Sequence, residues 1–161
     1  MKEIKLSQGL VALVDDADYD YLNQWRWYAG ESCNTFYVQR NQWLRDSKKC
    51  RTVKMHRLIV GVTDPSVLVD HKDGDGLNNQ RSNLRVCTRQ QNNKNRRAVG
   101  VGSSGFKGVG FHSRDKVWWA TIGSEGKDFY LGSFKTEIEA AKAYNDAALR
   151  LHGEFACLNT I

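Results

Sequence analysis

The fold of this chain is decided by the stretch Val69-Asp70-His71-Lys72-Asp73-Gly74-Asp75-Gly76-Leu77-Asn78-Asn79, with Arg81-Ser82-Asn83-Leu84-Arg85 after it. The pattern predicts a strand that ends at Asp70-His71 and a turn built on the two glycines. An EF-hand calcium loop is excluded, because its ligand spacing fails in every register. A polar surface loop is the simplest alternative, since an Asp-His pair is often only a structural hydrogen bond and asparagines favour turns.

The spacing of side chains around His71 favours a catalytic role over a surface loop. Asn83 and Asn92 follow His71 by 12 and 21 residues. A neutral imidazole can take a proton from water near pH 7. The oxygens of Asp70 and Asn92 suit a hard divalent cation, which can polarise a phosphoryl group and stabilise a leaving oxygen. Together these residue types predict hydrolysis of a phosphodiester.

Positive charge is concentrated in the middle of the sequence. The 161 residues contain 24 Lys and Arg against 18 Asp and Glu, a net charge of +6. Residues 1–52 carry a net charge of +1, residues 53–97 carry +5, and residues 98–161 carry zero. The excess indicates a polyanionic partner. Phosphate contact and a solvated surface are equally open for the basic run, which consists of Arg85, Arg89, Lys94, Arg96 and Arg97.

Residues 1–52 predict a small β-rich lead-in region. The apolar positions within 4–14 are typical of a strand or a strand pair. The run Asp15-Asp16-Ala17-Asp18 is placed to cap a short helix through Tyr19, Leu22 and Trp25. Alternation predicts a strand over 35–40, and 51–59 fits either a partner strand or the start of a helix.

The last third of the chain predicts a sheet covered by one helix. Glycine and serine at 100–105 predict a connection between domains. A three-stranded antiparallel sheet is predicted by short apolar stretches at 108–112, 117–122 and 128–134. Thr136 and Glu139 form a capping-box pattern that starts a helix, and Gly153 is placed to end it. The helix face that we expect to be buried consists of Ile138, Ala141, Tyr144, Ala148 and Leu151.

Length and composition limit the class of protein. A chain of 161 residues allows one ordinary domain or two small ones, which excludes a large multi-domain enzyme. The four cysteines lack the close spacing of a structural zinc site, so we expect reduced and buried thiols. No apolar run approaches the roughly 20 residues of a membrane helix, and residues 1–5 do not lead into a secretory signal. We therefore expect a cytoplasmic protein of a bacterial or phage-infected cell.

Five pieces of sequence occur in order between residues 53 and 97: Met55-His56-Arg57-Leu58-Ile59, Asp70-His71-Lys72-Asp73-Gly74, Asn78-Asn79, Ser82-Asn83-Leu84-Arg85 and Gln91-Asn92-Asn93-Lys94-Asn95. Together they resemble the HNH (His-Me finger, ββα-metal) endonucleases, in the branch found in phage and intron homing nucleases. The resemblance implies that His71 is the general base and that Asn83 braces its loop. It implies that Asp70 and Asn92 hold one divalent metal ion, with Mg²⁺ expected and Mn²⁺ as the alternative. The implied cut leaves a 5′-phosphate and a 3′-hydroxyl.

A second resemblance covers residues 105–159. It rests on Phe106-Lys107-Gly108-Val109, Trp118, Tyr130-Leu131-Gly132-Ser133-Phe134, Glu139-Ala140-Ala141-Lys142-Ala143-Tyr144 and Leu158-Asn159. These pieces are similar to the plant Apetala-two/ethylene-response-factor (AP2/ERF) DNA-binding domain, whose three-stranded sheet enters the major groove. The resemblance implies a DNA-binding sheet. The candidate contacts are Lys107, His112, Arg114, Lys116, Trp118, Thr121, Lys127 and Tyr130.

The sequence as a whole predicts an α+β protein with three parts. These are a β-rich lead-in region at 1–52, a ββα-metal nuclease domain at 53–99, and an AP2/ERF-like domain at 100–161. We expect a homing-type endonuclease that acts on double-stranded DNA, nicking as a monomer or cutting both strands as a homodimer. Two alternatives stay open, namely a DNA-binding regulator with an inactive centre and a structure-directed nuclease that acts on branched DNA or on RNA.

Overall fold

A computed structural model of the chain describes residues 1–32, 35–96 and 104–161. They form two compact units, Met1–Arg89 and Gln90–Ile161. Both units combine small antiparallel sheets with a few helices, as the predicted α+β class requires. The predicted boundary at 99/100 lies outside the described residues.

Among its described residues, the first unit contains three small antiparallel sheets, two short α-helices and a 3-10 helix at Arg81–Asn83. A hairpin of two strands is followed by a helix, a three-stranded sheet whose strands pair in chain order, a second helix, and a final strand pair. Their bounds are β1 (Lys2–Lys5), β2 (Val11–Val14), α1 (Asp16–Leu22), β3 (Tyr28–Ser32), β4 (Thr35–Leu44), β5 (Lys49–Lys54), α2 (Met55–Val60), β6 (Leu68–His71) and β7 (Leu84–Cys87). The predicted hairpin, the helix after Asp15 and the strand ending at His71 are confirmed. For the segment 51–59, either a partner strand or the start of a helix was predicted. The segment contains both, because β5 ends at Lys54 and α2 begins at Met55.

One hydrophobic core holds the first unit together. Its most buried side chains include Ile4, Trp27, Val38 and Met55, and Leu84 closes the cluster from β7. Residues on both sides of position 52 therefore share one core. Backbone hydrogen bonds also join β2 to the loop after β6, because the Leu13 N–H donates to the Leu77 carbonyl and the Asn79 N–H donates to the Leu13 carbonyl.

Asp15 stands at the N-cap of α1 without capping it through its side chain. Its carboxylate instead accepts hydrogen bonds from the Arg81 backbone N–H (2.8 Å) and the Gln80 side chain (3.2 Å). Asp18 binds the Arg81 guanidinium through two further hydrogen bonds. The predicted cap is therefore wrong, and the acidic helix start fastens the segment that leads into β7.

The second unit is a three-stranded sheet covered by one long helix. The sheet is antiparallel throughout, and the second of its three strands along the chain lies in the centre. Its elements are α3 (Arg89–Asn95), which begins at the last residue of the first unit, β8 (Val109–His112), β9 (Val117–Ser124), β10 (Lys127–Phe134) and α4 (Glu137–His152). The capping box is confirmed, since the Thr136 hydroxyl accepts from the Glu139 N–H while the Glu139 carboxylate accepts from the Thr136 N–H.

The buried face of α4 differs from the predicted one at both ends. Ala141, Tyr144 and Ala148 are buried as expected, but Ile138 and Leu151 are 51% and 40% exposed. The other buried residues on the face are Ala140, Ala147 and His152. Small alanines let the helix approach the sheet closely, so the contact face follows them rather than the largest apolar side chains.

The cysteines follow no single pattern. Cys50 is exposed, Cys87 is buried and Cys157 is half-buried, and all three are free thiols. The expectation of buried thiols holds only for Cys87, and Cys33 lies outside the described residues. Within the described parts of the chain, no helix is long and apolar enough to cross a membrane.

Candidate active site

The strand pair β6–β7 places Asp70 and His71 in the interior of the first unit. Asp70 lies opposite Arg85 in the antiparallel register, and His71 lies opposite Leu84. Asp70 Oδ2 accepts hydrogen bonds from Arg85 Nε (3.0 Å) and Nη2 (2.8 Å). Both side chains are about nine-tenths buried. Arg85, expected in the phosphate-binding run, is thus held against the carboxylate predicted to bind metal.

Asn83 fixes the loop that follows His71. Its side-chain Nδ2 donates to Asp73 Oδ1 (2.9 Å) and to the Asn78 carbonyl (2.8 Å), and its Oδ1 accepts from the Asp73 N–H (3.1 Å). The Asn83 carbonyl also accepts from the Lys72 N–H at 2.9 Å. One residue therefore contacts the loop at both of its ends.

Gly76 is the point at which the same loop rests on β4. A Cβ at this position would lie 2.1 Å from the Phe36 carbonyl oxygen and 2.9 Å from the Tyr37 ring. The Gly76 N–H donates to the Thr35 hydroxyl at 3.0 Å. The close approach of the two backbones requires glycine here.

Asn79 orients the imidazole of His71. This fully buried asparagine donates through Nδ2 to the carbonyls of Gly76 (3.2 Å) and Leu77 (3.1 Å). Its Oδ1 therefore faces His71 Nε2, at 3.5 Å. An amide oxygen can only accept, so a hydrogen bond between these two atoms requires the tautomer that carries its proton on Nε2.

His56 and Tyr37 enclose the imidazole of His71. The rings of His56 and His71 meet edge to face with their centroids 5.0 Å apart, and the Tyr37 ring lies 5.4 Å from His56 and 5.8 Å from His71. Burial lowers the pKa of His56 to about 3, with smaller contributions from His71 and nearby cations. His56 is therefore an uncharged neighbour of His71 near pH 7.

The pKa of His71 is also lowered. Burial is the largest cause, and it outweighs the hydrogen bond to Asn79 and the negative charges of Asp73, Asp70 and Asp75, which act in the opposite direction. His71 is consequently neutral near pH 7 and able to accept a proton. The site combines a neutral imidazole of fixed orientation with an adjacent carboxylate.

The oxygen donors suit a hard divalent cation. Within the described parts of the chain, no three His, Cys, Asp or Glu side chains gather as a metal site. Mg²⁺ does not require such a group, because it usually keeps several waters and binds one or two carboxylates. Asp70 lies in the first unit and Asn92 in α3 of the second, so their joint ligation stays a prediction.

The basic run after Arg85 has varied surroundings. Arg89 and Arg96 are exposed, Lys94 is half-buried, and Arg97 lies outside the described residues. Within the second unit, Lys107 Nζ donates to the backbone carbonyls of Lys94 (2.7 Å) and Arg96 (2.6 Å). This ammonium group binds the carboxyl end of α3, a structural contact that the sequence did not indicate.

The sheet of the second unit has one covered and one open face. Trp118 is partly buried against the core beneath α4 and packs on Phe111 at 4.9 Å, and its contact with DNA stays a prediction. The Trp119 side chain points to the opposite face of the sheet and covers Gly110. A Cβ at Gly110 would lie 2.3 Å from the Trp119 indole. Tyr130 is 64% exposed. The other exposed candidates are His112, Arg114, Lys116 and Lys127, and Thr121 is half-buried.

Comparison with known proteins defines the class of protein to which this chain belongs. The sequence model of an HNH endonuclease family matches residues 53–94. An uncharacterized HNH endonuclease of Acanthamoeba polyphaga mimivirus is 31% identical over 159 residues, 96% of this chain and 77% of that protein. Protein 3.8 of Escherichia phage T7 is 31% identical over 106 residues, 66% of this chain and 87% of that protein.

The chain belongs to the HNH endonuclease family, and it is an endonuclease. A further similarity is confined to its C-terminal part. An AP2-like ethylene-responsive transcription factor of Arabidopsis thaliana is 45% identical over 60 residues, which cover 36% of this chain and 11% of that protein. An APETALA2-like protein of rice is 48% identical over the same length.

Sequence reasoning assigned no role to three residues that surround His71. Asn79 and His56 belong to the motifs that resemble the HNH endonucleases, whereas Tyr37 belongs to the strand predicted over 35–40. The buried polar character of Asn79 could have been inferred from its place between the loop and the next strand. No local pattern signals the contact of Tyr37 with His71, because 34 residues of sequence separate them.

Proposed function

We propose that this endonuclease nicks double-stranded DNA in a metal-dependent reaction, with His71 as the general base. The observation that carries the proposal is the state of His71. It is buried, neutral near pH 7, and bonded through Nε2 to Asn79, so that Nδ1 is the basic atom. A homing-type role is part of the proposal because of the motif resemblance.

In the proposed mechanism His71 Nδ1 takes a proton from the water that attacks phosphorus. The bond between phosphorus and the 3′ oxygen then breaks, and this oxygen takes a proton from solvent water, which leaves a 3′-hydroxyl and a 5′-phosphate. Asn79 holds the imidazole in the productive tautomer, and Asn83 fixes the loop behind it. Asp70 and Asn92 would hold one divalent ion, Mg²⁺ or Mn²⁺, which supplies charge stabilisation to the leaving oxygen.

The proposal assigns a DNA-positioning role to the second unit. Its similarity to AP2-like transcription factors over 60 residues supports this role. The exposed set His112, Arg114, Lys116, Lys127 and Tyr130 supplies cations and an aromatic ring for phosphate and base contacts. A single hydrolytic centre cuts one strand per binding event, so a double-strand break would require a homodimer or a second encounter.

The test is a nicking assay on supercoiled plasmid with Mg²⁺ or Mn²⁺, followed by electrophoresis. Wild-type protein and the control variant Asn23→Ala, which changes an exposed side chain after α1, are expected to nick. His71→Ala is expected to bind DNA and not to nick. Nicking by His71→Ala would refute the assignment of the general base. Tight binding without nicking by the wild type would favour a regulator with an inactive centre.

A further inference from the structure

The strands β4 and β5 form a cationic two-stranded ribbon. The third strand β3 pairs only with the first part of β4, up to Gln39. From Arg40↔Val53 to Leu44↔Lys49, β4 and β5 pair with each other alone. These five pairs extend roughly 15 Å at about 3.4 Å per residue. Nearly every side chain from 41 to 52 is exposed, and Trp43 is 63% exposed.

The ribbon has a strong local charge that the average over residues 1–52 conceals. Residues 35–54 contain six Lys or Arg and one Asp, a net charge of +5. The acidic start of α1, where Asp15, Asp16, Asp18 and Asp20 lie, cancels this charge in the sum over the region. The six cations are Arg40, Arg45, Lys48, Lys49, Arg51 and Lys54.

One face of the ribbon opens into a cavity of about 550 Å³ beside α2. Its described lining includes Arg40, Arg51, Lys54 and Arg57 and contains no acidic side chain. The Arg40 guanidinium lies over the Trp25 ring at 4.5 Å, and its buried Nε has no hydrogen-bond partner among the described residues. A buried donor in a cationic cavity favours an anionic ligand.

The ribbon is continuous with the candidate active site. The Lys54 ammonium lies over the Tyr37 ring at 5.1 Å, and the Tyr37 ring lies 5.8 Å from the imidazole of His71. A ligand that follows the ribbon would therefore lead toward the imidazole. A two-stranded ribbon also fits the major groove of B-DNA, which is about 12 Å wide.

We propose that the β4–β5 ribbon binds the phosphate backbone of double-stranded DNA and guides it to His71. Charge complementarity carries the proposal, because each Lys or Arg that neutralises a phosphate releases condensed counterions. The choice of duplex DNA as the ligand rests on the proposed nicking function. The residues of this surface differ from those of the basic run after β7 and from the predicted DNA contacts in the second unit.

The test measures the affinity of the full chain for a short DNA duplex across a series of KCl concentrations. The measurement is made in the presence of EDTA, so that it reports binding and does not depend on cleavage. The double variant Lys49→Gln/Arg51→Gln is expected to reduce the slope of log affinity against log salt by about 2, about one for each cation. The matched control Lys2→Gln/Lys5→Gln removes two exposed cations from β1, and its slope is expected to equal that of the wild type.

A charge-preserving variant, Lys49→Arg/Arg51→Lys, is expected to keep the wild-type slope, which separates loss of charge from local unfolding. An unchanged slope in the glutamine variant would overturn the proposal, and so would an equal loss in the β1 control. Equal competition by single-stranded RNA would overturn the choice of duplex DNA. A wild type that fails to nick plasmid but binds with a ribbon-dependent slope would refute the proposed function and leave the ribbon surface intact.

Discussion

Replacement of Asn83 by alanine tests whether one side chain holds the loop behind His71. The substitution removes three hydrogen bonds, two donated by Nδ2 and one accepted by Oδ1. A neutral hydrogen bond contributes about 1 kcal/mol net, and one to a charged group such as the Asp73 carboxylate contributes roughly 1.5 to 3 kcal/mol. We therefore expect a loss of about 3.5 to 5 kcal/mol in the free energy of unfolding.

The assay for Asn83→Ala is urea unfolding of the full chain, followed through NMR signals from the first unit. The control is Asn23→Ala, at an exposed position after α1 whose cap contact is made by the backbone. That variant should change stability by less than about 0.5 kcal/mol. A loss below about 1 kcal/mol for Asn83→Ala, or equal losses in both variants, would refute the bracing argument. The nicking rate of Asn83→Ala should fall as well, since the loop carrying His71 loses its support.

Three further predictions concern acidity, backbone space and helix capping. The folded state lowers the pKa of His56 to about 3 from an ordinary 6.5, so unfolding takes up a proton below pH 6.5. The free energy of unfolding should thus fall from pH 6.5 toward pH 3, by an amount on the order of 5 kcal/mol at most. Urea titrations at a series of pH values measure this fall, and it should be smaller in His56→Gln. Gly76→Ala should lower the melting temperature, because its Cβ would meet the Phe36 carbonyl, whereas Gly105→Ala, in open space, should not. Thr136→Ala should cost about 1 kcal/mol in the second unit, measured by thermal unfolding, and no loss would contradict the capping box.

Several elements were predictable because their signals are local. The strand that ends at His71, the capping box at Thr136 and the three strands of the second unit are specified by residues within a few positions of each other. Hydrogen bonds at a helix start and the alternation of a strand depend on short-range geometry. The extent of the buried face on α4 depended on the partner sheet, and there the largest apolar residues misled the prediction.

The sequence by itself determined the chemical groups of the site: an imidazole next to a carboxylate, a glycine-containing turn and two asparagines at fixed spacing. Only the tertiary structure decided what surrounds them. Tyr37 and His56 enclose His71, and Arg85 turns inward to bind Asp70. Burial of a titratable group and the cancellation or concentration of charge depend on which distant segments share one surface. The same reason explains the cationic ribbon. Its net charge is cancelled in the sum over residues 1–52 and is recognised only when the pairing of β4 with β5 is known.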